Sequence, residues 1–141
     1  MKYVLDSSVA FKWELSETDS DKADAIRVDF RNAVHELLAP DIFTVEVSHA
    51  LTRAERQGRI VVGEARKLFL DILTTPPKFV PFQPHLLRAI DISSMMRVGV
   101  YDCVYVALAE QENCELLTAD KSMVNALLKD FPFIIPLASM P

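Results

Sequence analysis

Residues 101–121 read YDCVYVALAEQENCELLTADK, a pattern that predicts one helix followed by one strand. We expect an amphipathic helix from Asp102 to about residue 113 and a short apolar strand over residues 115–118, just before Asp120. In an α/β unit the helix runs antiparallel to the strands, so the start of a helix and the end of the next parallel strand lie at one edge of the sheet. Asp102 and Asp120 should therefore lie close together.

Asp6 brings a third carboxylate to the same edge. Residues 3–5, Tyr-Val-Leu, predict an N-terminal strand, and Asp6 follows its carboxyl end. Open parallel sheets bind ligands at that edge. Carboxylates that converge there repel one another and stay ionised only when a cation neutralises them. Oxygen ligands without nitrogen or sulfur select Mg²⁺ or Mn²⁺, so the sequence predicts a divalent-metal site.

Strands alternate with helices along the whole chain. The predicted strands are residues 2–5, 38–39, 79–80, 115–118 and 133–135, and the predicted helices are residues 9–15, 19–36, 41–58, 63–75, 85–98, 102–113 and 121–130. This alternation predicts an α/β fold, a three-layer αβα sandwich around a parallel sheet of four or five short strands. No repeat or linker interrupts it, so we expect residues 1–141 to form a single domain.

Composition excludes several classes of protein. The chain has 141 residues, a net charge of −5 and only three glycines, which rules out the glycine-rich dinucleotide and P-loop motifs. No apolar run reaches the length of about 18 residues that a membrane span needs, and no signal peptide is evident, so we expect a cytoplasmic protein with no membrane association. The two cysteines lack the spacing of zinc ligands and are expected to be free thiols.

Glu46 is a fourth candidate acid. In the helix over residues 41–58 it lies about 60° from Phe43 around the axis, at the margin of the buried face. It is either a solvated helix glutamate or a further metal ligand. Two of the aspartates also have a second interpretation, because an acid at the start of a helix complements the dipole and caps free amides. This applies to Asp102 and to Asp120.

Hydroxyl and basic side chains accompany the acids. Ser7, Ser8 and Thr118 are either local turn hydroxyls or donors that orient the carboxylates and a water molecule. A basic segment flanks the Glu46 helix and is either a solvated face or, for a polyphosphate substrate, the surface that holds the strand. Its members are Arg53, Arg56, Arg59, Arg66 and Lys67.

Four short motifs, in this order and spacing, resemble those of the PIN-domain ribonucleases, and most of all the VapC-type toxins. The resemblance spans the chain. The motifs are Tyr3-Val4-Leu5-Asp6-Ser7-Ser8, Phe43-Thr44-Val45-Glu46-Val47, the run from Tyr101 to Ala109, and Leu116-Leu117-Thr118-Ala119-Asp120. The acidic quartet of that family falls on Asp6, Glu46, Asp102 and Asp120, and its hydroxyl on Thr118. One departure is Ser7-Ser8, where many relatives have Thr or Asn.

The resemblance implies an endoribonuclease that uses one or two Mg²⁺ or Mn²⁺ ions to hydrolyse RNA phosphodiester bonds. It further implies a homodimer that is held inactive by a cognate antitoxin protein. In this interpretation Asp6 and Asp102 hold the metal, and Glu46 and Asp120 assist.

Three other functions compete with this one. A haloacid-dehalogenase-type phosphatase also begins with an apolar strand and an Asp, but it needs a second acid two residues later, where this chain has Ser8. A PIN-fold module that binds protein without catalysis would be expected to have lost part of the acidic quartet. A receiver-like signalling domain would need adjacent acids after the first strand.

Overall fold

The computed structural model describes all residues, 1–141. Its strands are β1 (Lys2–Leu5), β2 (Glu36–Pro40), β3 (Lys78–Val80), β4 (Glu115–Thr118) and β5 (Ile134–Pro136). Its α-helices are α1 (Ser7–Phe11), α2 (Ser20–Arg31), α3 (Phe43–Arg56), α4 (Glu64–Ile72), α5 (Leu86–Met96), α6 (Val100–Glu112) and α7 (Lys121–Leu127). Two short 3₁₀ segments, Gln83–His85 and Leu137–Ser139, complete the chain.

The five strands form one sheet in the order β3-β2-β1-β4-β5, and every neighbouring pair is parallel. This confirms the predicted α/β class and the parallel sheet, with five strands. The short strand β3 lies at the sheet edge, where the proline that follows it, Pro81, interrupts no pairing between strands.

Helices cover both faces of the sheet, because successive strand residues point to opposite sides. In β1, Tyr3 and Leu5 belong to one buried apolar cluster, which includes residues of α3 and α4. Val4 points the other way, into a second cluster formed with α5, α6 and α7. The two clusters are the two interfaces of an αβα sandwich.

The order in which the chain adds strands to the sheet reverses direction between β1 and β4, and this position is the switch point of the sheet. From β1 the chain moves outward through β2 to β3, and it then returns to the other side of β1 to form β4 and β5. Ligand crevices of open parallel sheets lie outside the carboxyl ends of the strands at such a point. Asp6 follows β1 and Asp120 follows β4, so both acids lie there.

Several helix ends differ from the predicted ones. The first helix begins at Ser7 and not at residue 9, so both serines are helical and not in a turn. The second ends at Arg31 and not at residue 36, because Ala33 has a positive φ of 59° and the chain enters β2 at Glu36. The turn after α6 is as predicted, with Asn113 in the left-handed conformation that ends helices.

None of the helices combines the length and the apolar character that a membrane crossing requires. Both cysteines, Cys103 and Cys114, are free, as their spacing predicted.

Candidate active site

Asp6 is the most buried of the four candidate acids, with 4% of its surface exposed. Its backbone N–H donates to the carbonyl of Leu117 at 3.0 Å and so continues the pairing of β1 with β4. The side chain is thereby fixed at the carboxyl end of two adjacent strands. Burial raises the pKa of Asp6, and repulsion from Asp120 adds to this effect.

Two hydroxyl groups hold the Asp6 carboxylate. Ser8 Oγ donates to Asp6 Oδ2 at 2.5 Å, and Thr118 Oγ1 donates to the same oxygen at 2.9 Å. The hydroxyls are themselves anchored, since the Ala119 N–H donates to Ser8 Oγ at 2.9 Å and the Asp120 N–H donates to Thr118 Oγ1 at 3.0 Å. These bonds join the end of β1 to the loop that carries Asp120, and they oppose the rise in the pKa of Asp6.

Glu46 reaches the edge of the sheet from the first turn of α3. The hydroxyl of Tyr105, a fully buried residue of α6, donates to Glu46 Oε1 at 2.6 Å. Burial raises the pKa of Glu46 to about 7, and repulsion from Asp6 and Asp102 acts in the same direction. Hydrogen bonds from Tyr105 and Ser7 work against this rise. Glu46 is therefore not a freely solvated helix residue.

Asp102 lies in the first turn of α6, and no protein donor hydrogen-bonds to its carboxylate. Burial raises its pKa to about 7, and repulsion from Asp6 and then Asp120 contributes. The position also satisfies the alternative role, since an acid in the first turn complements the helix dipole. Unlike the other three acids, Asp102 has both carboxylate oxygens free for a ligand.

Asp120 caps α7. Its Oδ1 accepts hydrogen bonds from the backbone N–H groups of Ser122 at 2.9 Å and Met123 at 3.2 Å. The capping role that the sequence left open is therefore present. The second oxygen, Oδ2, accepts no hydrogen bond from the protein, and the charge of Asp120 raises the pKa of Asp6 and Asp102.

The four acids thus come from four separate parts of the chain and act on one another electrostatically at one edge of the sheet. The structure contains no group of three His, Cys, Asp or Glu side chains arranged to hold a metal ion. Three of the four carboxylates, those of Asp6, Glu46 and Asp120, accept hydrogen bonds from the protein. The donor set nevertheless suits a hard cation, because it consists of carboxylate oxygens alone and because a cation would relieve the repulsion among them.

A cleft of about 860 Å³ opens beside the acids. Glu46 and Asp120 line it, whereas Asp6 and Asp102 do not. Its other lining residues are Ser7, Ser8, Phe11, Lys12, Glu17, Val45, His49, Ala50, Arg53, Tyr101 and Ala119.

The structure separates the predicted basic residues. Arg53 lines the cleft. Arg59 reaches its border, where Nη2 lies 2.8 Å from Glu17 Oε2. Arg56 lies outside the cleft on the exposed side of α3, with Thr52 as its hydrogen-bond partner at 3.4 Å.

Four residues at or beside the site were not predicted from the sequence. Tyr105 stands three positions after Asp102 and so lies on the same side of α6, a spacing that could have drawn attention to it. Tyr101 is 62% exposed at the cleft and is adjacent to Asp102, which is a second visible signal. Lys12 and Glu17 carry no local signal, because their place in the cleft depends on the packing of distant elements.

Comparisons with known proteins identify one family. A model of the PIN domain matches residues 3–126. Ribonuclease VapC1 of Mycobacterium tuberculosis is 38% identical over 90 residues, which are 62% of this chain and 65% of that protein. Ribonuclease VapC3 of the same organism is 31% identical over 117 residues, 80% of each chain. The chain therefore spans slightly less than two thirds of VapC1.

Solved structures share the fold at low sequence identity. PAE2754 from Pyrobaculum aerophilum superposes with a TM-score of 0.68 and 19% identity, covering 89% of this chain and 79% of that one. VapBC2 from Rickettsia felis, bound to a DNA fragment from its promoter, gives a TM-score of 0.64 and 15% identity, with 96% and 97% covered. A toxin–antitoxin complex from Klebsiella pneumoniae gives 0.63 and 10%, with the same coverage.

Proposed function

Because the chain belongs to the PIN-domain family and is of the VapC type, we propose that it is a divalent-metal-dependent endoribonuclease, the toxin of a toxin–antitoxin pair. One observation carries this proposal. Asp6, Glu46, Asp102 and Asp120 come from four parts of the chain and repel one another at the switch point of the sheet, beside an open cleft.

In this proposal Asp6 and Asp102 hold one or two Mg²⁺ or Mn²⁺ ions, and Glu46 and Asp120 assist. When bound, such an ion would lower the pKa of a water molecule and offset negative charge on the scissile phosphate. Asp102 has both oxygens free for this role, and Asp120 has Oδ2 free while Oδ1 caps α7. Burial raises the pKa of Glu46 and that of Asp102 to about 7, so a cation held by these carboxylates would favour their charged form near neutral pH.

The remaining polar side chains keep the carboxylates in place. Ser8 and Thr118 fix the position of Asp6 Oδ2. The Tyr105 hydroxyl sets the direction of Glu46. A site that is held rigidly before the substrate binds loses little energy to reorganisation during the reaction.

RNA would enter along the cleft. Arg53 lines it and is the first candidate to contact the phosphate backbone, with Arg59 at its border and Arg56 further out on α3.

The proposed protein is one PIN-like domain over residues 1–141 that forms a homodimer in the cytoplasm, and an antitoxin protein covers its site. The Rickettsia felis and Klebsiella pneumoniae structures are toxin–antitoxin complexes of the same fold, which supports such a partner.

The deciding experiment compares the wild type with Asp6→Asn on structured RNA in the presence of Mg²⁺. The substitution keeps the shape and the hydrogen-bond acceptor but removes the charge, so we expect cleavage to fall at least about a hundredfold. Asp91→Asn, an exposed residue of α5, is the matched control and should cleave as the wild type does. Equal cleavage by wild type and Asp6→Asn, or none by the wild type, would refute the mechanism.

The phosphatase and the non-catalytic binding module gain no support. A haloacid-dehalogenase-type phosphatase needs an acid at position 8, where the serine instead donates a hydrogen bond to Asp6. A binding module without catalysis has no need of four mutually repelling carboxylates, which are unfavourable in the absence of a cation.

A further inference from the structure

One ion-pair network lies inside the cleft and is not used by the acidic site. Glu17, in the loop between α1 and α2, points its carboxylate between two cations. Lys12 Nζ lies 3.4 Å from Oε1, and Arg59 Nη2 donates to Oε2 at 2.8 Å. Lys12 and Glu17 line the same cleft as Asp120. An anion is therefore already bound by two cations beside the proposed reaction centre, and this anion belongs to the protein itself.

Each cation has a second anchor that does not involve Glu17. Lys12 Nζ donates to the Thr18 carbonyl at 2.8 Å. The Arg59 guanidinium stands over the Phe11 ring, with its carbon 5.7 Å from the ring centre, a distance within the range of cation–π attraction. Both cations would therefore stay in place if the carboxylate moved out.

The loop does not depend on the carboxylate either. The Glu17 N–H donates to Ser20 Oγ at 2.9 Å, and the Ser20 N–H donates to the Glu17 carbonyl at 3.2 Å. The side chain can thus leave the cations by rotation, while its backbone keeps its hydrogen bonds. With 28% of the Glu17 side chain exposed, its ion pairs lie in partly solvated surroundings, where they are easily exchanged.

We propose that Lys12 and Arg59 form a phosphate-binding subsite for the RNA strand, and that the Glu17 carboxylate fills this subsite in the free protein. The inference rests on the proposed function, since it names where the substrate backbone is held. A guanidinium and an ammonium that bind a carboxylate also bind a phosphate, which presents similar oxygens and more charge. RNA binding would then exchange one anion for another, without burial of an unpaired cation.

The charge of the cleft supports the same conclusion. The wall near Asp120 carries mainly negative groups, and a polyanion needs cations close to them. Of the lysine and arginine side chains at the cleft, Arg53 forms no ion pair with an acidic side chain, whereas Lys12 and Arg59 share the single negative charge of Glu17. Displacement of Glu17 would make two further cations available next to the acids.

The test measures binding and not cleavage. A short fluorescein-labelled single-stranded RNA is titrated with protein in Ca²⁺, and its integrity is checked on a gel. We expect Glu17→Gln to bind about three- to tenfold tighter than wild type at low salt, with a salt dependence steeper by about 0.7 per added phosphate contact. Glu110→Gln is the matched control, because Glu110 forms an equally short pair with Arg88 on α5, away from the cleft.

Lys12→Met in the Glu17→Gln background should abolish the gain. Lys12→Met alone should bind RNA more weakly than wild type, which provides a second measurement if Glu17→Gln fails to fold. The proposal is overturned if Glu17→Gln binds no tighter than Glu110→Gln, if the gain survives Lys12→Met, or if neither wild type nor Glu17→Gln binds. A wild type that binds in this way but does not cleave RNA in Mg²⁺ would instead refute the nuclease function and leave the subsite standing.

Discussion

Three of the four acidic side chains are held by protein donors, and the kind of donor differs among them. Asp6 is held by two hydroxyls, Glu46 by a buried phenol and Asp120 by backbone amides, whereas Asp102 has no protein donor. The four positions therefore differ in what a substitution removes. At two of them, Asp6 and Glu46, the donor is a side-chain hydroxyl that can be deleted without any change to the acid itself.

Tyr105→Phe removes only the hydroxyl that donates to Glu46 Oε1. We expect the turnover rate at saturating RNA to fall about tenfold, because the carboxylate loses a fixed direction, while the KM for RNA changes little. The midpoint of activation by Mg²⁺ should move to higher concentration. Tyr3→Phe, which removes a hydroxyl that contacts only the Met1 sulfur outside the cleft, is the control. Unchanged kinetics in Tyr105→Phe would show that the hydrogen bond has no part in the reaction.

Helices contribute through their ends as well as through their buried faces. Asp120 both caps α7 and faces the other acids, so one side chain links the stability of a helix to the site.

On the other face of the sheet, one arginine side chain connects several elements. There Arg27 of α2 binds Glu14 at 3.2 Å and Asp71, in α4, at 3.2 Å, and donates to Thr75 at 2.8 Å. These contacts tie the segment between α1 and α2, which carries Glu14 and Glu17, to α2 and α4.

The two roles of Asp120 can be separated with two substitutions. Asp120→Asn keeps an oxygen that accepts from Ser122 and Met123, so its free energy of unfolding should stay within about 0.5 kcal/mol of wild type. Asp120→Ala removes the cap and should cost about 1 kcal/mol. Cleavage should be lost in both, as measured on the same RNA. A fully active Asp120→Asn would limit this residue to its role as a helix cap.

Glu14 makes stability depend on pH. Burial raises its pKa from 4.5 to about 7, and the neighbouring Asp71 adds to the rise, against the effect of Arg27. The folded chain therefore binds a proton that the unfolded chain loses. The resulting stabilisation is complete below pH 4.5 and disappears as the pH rises through about 7.

Glu14→Gln cannot ionise, but it can still donate to Asp71. Denaturant unfolding between about pH 5 and about pH 8 should show a smaller loss of stability in this variant than in wild type, by about 1 to 3 kcal/mol. The lowered pKa of Asp71 acts only at lower pH and does not disturb the comparison. Parallel curves for the two proteins would contradict the assignment of this proton to Glu14.

At the scale of the whole molecule, the parallel sheet concentrates negative charge at one point. The net charge is −5, and four acids lie where the strand order reverses between β1 and β4. Burial and mutual repulsion raise the pKa of three of them, so the folded state is less stable with all of them ionised than it would be with a cation among them.

Divalent cations should therefore raise the melting temperature of the whole protein. An ion that binds only the folded state stabilises it in proportion to the logarithm of its concentration over Kd. We expect a rise of about 2 to 6 °C for wild type in excess Mg²⁺ or Mn²⁺, and a much smaller rise for Asp6→Asn. KCl at matched ionic strength is the control. An equal response to KCl would show a screening effect and no specific ion site.

The sequence alone was sufficient for the order of helices and strands and for the placement of Asp6, Asp102 and Asp120 at one edge. These features follow from local periodicity and from the geometry that every parallel α/β unit obeys. Only the tertiary structure decided which strands are neighbours, that Tyr105 meets Glu46 across 59 residues, and that Glu17 meets Arg59 across 42. Contacts of this kind depend on how whole elements pack, and no short stretch of chain encodes that packing.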